Sequence, residues 1–132
     1  MNTKVSNPKR DLLLGAGLDV LHQESREWLE MIKFWKDETR FFANLLDKKV
    51  AEESEYGNML KYLDKTHANL FDYLADDIVA HEQLLSRLYK GEKGLADANY
   101  RDEHRRLYQS IILFENDFKE FKKMVFGYAK KL

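Results

Sequence analysis

Apolar and aromatic residues recur at alternating intervals of four and three along nearly the whole chain, a rhythm that suits only helices packed lengthwise on one another. One stripe reads Leu21, Ser25, Trp28, Ile32, Trp35, Thr39, Phe42 and Leu46. A second reads Leu63, His67, Leu70, Leu74, Asp77, His81, Leu84 and Leu88. The third runs Tyr100, His104, Leu107, Ile111, Phe114, Phe118, Phe121, Val125, Tyr128 and Leu132. Helix breakers are sparse: Pro8 is the only proline, and glycines stand at 15, 17, 57, 91, 94 and 127. The pattern predicts helices from Leu18 to Val50, Asn58 to Lys90 and Asp97 to Lys131. An acidic connector, Ala51–Gly57, and a turn, Gly91–Ala96, separate them, with Gly91 just past a helix end and Asp97 as an N-cap.

Helices of about 33 residues are roughly 50 Å long, and short connectors between them force antiparallel neighbours. The expected fold is therefore all-α: an elongated up-down-up bundle of three long helices, forming a single domain over residues 1–132. Asn7 and Pro8 read as the N-cap and first turn of a short fourth helix, interrupted at Gly15–Ala16–Gly17, so residues 1–17 are expected to form an N-terminal arm.

Composition narrows the function classes. With 22 basic and 23 acidic side chains the net charge is −1, which argues against a nucleic-acid partner. The chain has no cysteine, so disulfides, thiol catalysis and cysteine-ligated zinc are out of reach. The apolar run Leu12–Leu18 is bracketed by Asp11 and Asp19 and falls far short of the roughly 20 residues that span a bilayer, so no membrane span is expected and the cytoplasm is the default location. No Gly-rich phosphate loop, nucleophile elbow or His-Glu-x-x-His pair occurs. The lysines at 119, 122, 123, 130 and 131 read as cations complementing a helix C-terminus.

Three of the four histidines fall on the stripes, and Glu24 and Glu38 lie inside the apolar arc of the first helix. Counting outward from the two turns sets Glu24, Ser25, His81 and His104 at one level, with Asp77 about a turn away. A second polar layer holds His67 and Glu38, some 14 residues or roughly 21 Å further along. Two readings follow. The layers can satisfy themselves by hydrogen bonds and fix helix register. Alternatively, Glu24, Asp77, His81 and His104 can hold Fe, Mn or Zn, metals that suit carboxylate and imidazole ligands. In architecture and ligand chemistry the chain resembles ferritin-like and hemerythrin-like bundles. The Glu-x-x-His pair of the ferritin-like group is missing, because Asp19, Asp64, Ile78 and Arg101 stand three residues before the four histidines.

The apolar arc of the first helix is wider than a seam requires. It extends through Met31 to Phe34, Phe41 and Leu45, and on the third helix Ile112 and Leu113 fall outside the stripe. These positions are expected to line an interface. The leading expectation is thus a helical bundle that acts without catalysis by associating with itself or with another helical protein.

Overall fold

A computed structural model of the chain describes residues 17–49 and 54–131. Three helices make up the fold: α1 (Leu18–Lys49), α2 (Glu55–Tyr89) and α3 (Asp97–Ala129). The direction of each follows from its contacts. Lys36 pairs with Asp72 and Lys61 with Asp47, so residue numbers fall along α2 as they rise along α1. Glu24 meets His104 and Glu38 meets Lys122, so α1 and α3 run the same way. The result is an all-α, up-down-up bundle. The expected N-terminal arm and the end of the third stripe at Leu132 lie outside the described residues.

The helices end where local chemistry stops them. Ser54 has extended backbone angles (φ −79°, ψ 107°), and its Oγ accepts the Gly57 N–H at 3.0 Å. This N-cap starts α2 three residues before the expected Asn58, inside what the sequence suggested was connector. The Tyr128 hydroxyl also lies 3.0 Å from Ser54 Oγ, which ties the cap to the end of α3. Losing an N-cap hydroxyl costs about 1 kcal/mol, so Ser54→Ala should lower the urea unfolding free energy by that order. At the other end of α2, Gly91 adopts φ 72°. Its N–H reaches Leu88 O at 3.0 Å and the Glu92 N–H reaches Arg87 O at 3.2 Å. These two bonds make the left-handed C-terminal cap expected at Gly91. At α3 the expectation shifts by one residue: Ala96 is the N-cap, without a side-chain bond, and Asp97 sits in the first turn holding Arg101 at 3.0 Å.

All eight stripe residues of α1 are buried. The buried face of α3 comprises Tyr100, His104, Leu107, Ile111, Phe118, Phe121 and Val125, with Phe114 and Tyr128 half-buried. On α2 the expectation is corrected. The buried residues are Gly57, Leu60, Asp64, Phe71, Leu74, Ile78, His81 and Leu85, so only Leu74 and His81 come from the predicted stripe. The cause is unequal packing. α1 lies close against α2, where Ala43, Ala68 and Ala75 keep the interface thin and ion pairs of Lys36, Lys61 and His22 close its edge. The core face of α2 therefore leans toward α1, and the side turned toward α3 leaves Leu70 and Asp77 exposed.

The centre of the core is aromatic. Phe42 meets Phe118, Phe121 and Phe126 edge-on with ring centroids 5.5–6.2 Å apart, and Trp35 packs on Phe71 at 5.3 Å. Each fully buried ring among them, Phe42, Phe71, Phe118 and Phe121, contributes about 1.5–3 kcal/mol by burial alone, while Phe126 packs on Phe42 from the exposed rim. A second, smaller cluster of Leu21, Leu85 and Tyr100 closes one end of the bundle. Between the two clusters lies a polar layer.

Candidate functional site

Each helix supplies one member of that layer. Glu24 comes from α1, His81 from α2 and His104 from α3, four residues after Tyr100 on the same face. His104 Nε2–H donates to Glu24 Oε1 at 2.7 Å, and the other nitrogen of that ring, Nδ1, stands 3.0 Å from His81 Nε2. The carboxylate can only accept, so Nε2 of His104 carries the proton. In the neutral ring Nδ1 then accepts, and His81 Nε2–H donates to it. The chain of bonds ends at His81 Nδ1, which is buried without a hydrogen-bond partner among the described residues.

Aromatic rings clamp both imidazoles. Trp28 stacks on His104 with centroids 4.5 Å apart, and Tyr100 lies almost parallel to His81 at 4.1 Å. Burial pushes the His81 pKa down to about 4, aided by repulsion from His104. His104 is lowered as well, because burial outweighs the pull of Glu24 toward the charged form. Both rings are therefore neutral at pH 7. Burial, with the Glu82 charge adding to it, raises the pKa of the Tyr100 phenol, while Ser25 pulls the other way. Around this end, Ser25 and the Tyr100 hydroxyl are buried side chains, and Glu82 contacts His22 across the α1–α2 edge.

The structure thus joins Glu24, His81 and His104 and leaves Asp77 out. Asp77 is exposed on the α3 side of α2, where it adds to the negative field around Arg106. The other predicted polar layer does not assemble. Lys122 Nζ donates to Glu38 at 3.1 Å, whereas the His67 ring bonds the carbonyl of Leu63 in its own helix at 2.8 Å and stacks on Phe121. Among the described residues no three His, Cys, Asp or Glu side chains converge as metal ligands, and His104 spends both nitrogens on hydrogen bonds. What the linked triad does chemically is hold the three helices in one register: each bond crosses a helix–helix boundary, and slipping any helix by a turn would strand a buried imidazole.

One ionisable residue escaped the sequence reading. Asp64 is 4% exposed, with Oδ1 unpartnered among the described residues, beside a hollow of about 450 Å³ between α1 and α2 whose rim carries Arg40, Asp47 and Lys61. Burial first, and then the Asp47 charge, raises its pKa from 3.8 to about 7. Its signal was its spacing, seven residues before Phe71 and fourteen before Ile78 on the face that is buried.

The expected interface residues lie on the flank of α1 that faces α3. Phe34 is 62% exposed and Phe41 56%, while Leu45 is half-buried against the core. Across the α1–α3 groove, where those two helices approach each other at few points, stand Ile112 and Phe126, also exposed. Leu113 is exposed too, but its position along α3 turns it toward α2 rather than toward this groove. Among the described residues no helix is long and apolar enough to cross a membrane. No family model, no curated protein and no solved structure matches the chain.

Proposed function

We propose that the chain is a cytoplasmic, non-catalytic helical bundle that acts by associating with a second copy of itself through the α1 flank beside α3. The observation that carries this reading is the pair of exposed phenylalanines, Phe34 and Phe41, one heptad apart on a rigid helix. Leaving one large ring in water is ordinary. Two on one face, seven residues apart and with the half-buried Met31 and Leu45 beside them, make an apolar patch of the kind that marks an interface. The groove they border is the place where a fourth helix would complete a bundle. The Glu24–His104–His81 triad supports the same reading from inside, because it ties the three helices into one register, as a fixed outer face on α1 requires.

Association that accompanies folding makes the unfolding temperature depend on protein concentration. The wild type should therefore melt at a rising temperature as concentration increases, while Phe34→Asp with Phe41→Asp should melt at one temperature throughout. A wild-type melting temperature indifferent to concentration would contradict the proposal.

A further inference from the structure

The exposed flank of α1 has an order that self-association alone does not require. Glu27, Phe34, Phe41 and Lys48 follow one another at intervals of seven, and all four are exposed. The row reads acid, aromatic, aromatic, base. Reversed and laid on itself it is self-complementary: Glu27 comes opposite Lys48, and Phe34 opposite Phe41. The half-buried neighbours obey the same symmetry, since Met31 and Leu45 lie at nearly equal distances from the midpoint of the row. Lys48 also stands in the last turn of α1, where the helix dipole favours a cation.

Resting on the self-association proposed above, we infer that two copies pair about a two-fold axis with their α1 helices antiparallel, the axis passing between Phe34 and Phe41. A two-fold axis makes each contact occur twice, so the two Phe34–Phe41 contacts form an apolar centre and two Glu27–Lys48 pairs close its ends. A row at intervals of seven drifts by about 20° per heptad around a straight helix, so the two rows stay in contact when the α1 helices cross at a shallow left-handed angle. Parallel pairing would set Glu27 against Glu27 and Lys48 against Lys48, and the charges would oppose it.

Charge exchange tests the arrangement. Glu27→Lys and Lys48→Glu are both exposed changes that leave the core intact. Each alone should weaken the dimer about tenfold, since two attractive pairs become two repulsive ones. The double variant should return to wild-type affinity. Mixing the two single variants should give a mixed dimer in preference to either homodimer, read by native mass spectrometry with one chain isotopically labelled. Dimers of unchanged strength in both single variants, or random mixing, would overturn the antiparallel pairing while leaving self-association standing. A wild type that is monomeric in the same spectra would remove both.

Discussion

Asp64→Asn is expected to stabilise the protein above pH 7 by as much as about 4 kcal/mol, and to change nothing near pH 4. Asp64 sits 4% exposed on the core face of α2, and its pKa in the folded chain is raised from 3.8 to about 7. The unfolded chain releases this proton near the lower value. Between the two values the folded state binds more protons than the unfolded state, so stability falls as pH rises through the window and stays low above it. Burial is the main cause, because a carboxylate displaced from water without a full set of donors is costly. Asparagine keeps the shape and removes the charge. Urea unfolding followed by circular dichroism at a series of pH values reads the effect directly. An Asp64→Asn curve parallel to the wild type at every pH would contradict it.

The second large effect has the opposite sign. Folded His81 takes up its proton at about 4 rather than the ordinary 6.5. A histidine lowered in this way stabilises the fold while it is neutral, and the contribution is lost as pH falls from about 6.5 to 4, where the unfolded chain binds the proton first. The loss amounts to about 3 kcal/mol. In the wild type Asp64 gains stability over much of the same range, so the two nearly offset and acid unfolding looks shallow. Asp64→Asn should uncover the His81 loss. Adding His81→Gln, which keeps a donor for His104 Nδ1 but does not titrate, should make the acid loss smaller, the remainder coming from His104, which burial lowers as well. It should also lower stability at pH 7, because the stack on Tyr100 is lost. An acid loss as steep in the double variant as in Asp64→Asn alone would place the titration elsewhere.

How far the fold could be read in advance differs from helix to helix, for reasons visible in the packing. On α1 polar and apolar positions separate cleanly, so the stripe and the buried face coincide from Leu21 to Leu46. On α2 the apolar arc is wide enough to hold two overlapping stripes, and periodicity alone could not choose between a face holding Leu70 and Asp77 and one holding Asp64, Phe71 and Ile78. The choice is made in three dimensions, by the thin alanine contact with α1, and no single-helix pattern contains it. The triad of Glu24, His81 and His104 was legible because counting outward from two turns sets axial levels, and Gly91 fixed one of the turns well. Asp77 failed because the count gives level but not azimuth. The start of α2 was misjudged because a serine inside an acidic run looks like connector until its Oγ is seen on the Gly57 amide.

Phe34 and Phe41 carry the central claim, and sedimentation equilibrium of the wild type beside Phe34→Asp with Phe41→Asp is the measurement that tests it most directly. The wild type should show a reversible equilibrium reaching twice the chain mass of 15.7 kDa, and the variant should hold the monomer mass at every concentration. A wild type that stays at 15.7 kDa, or a variant that dimerises as well as the wild type, would contradict the account.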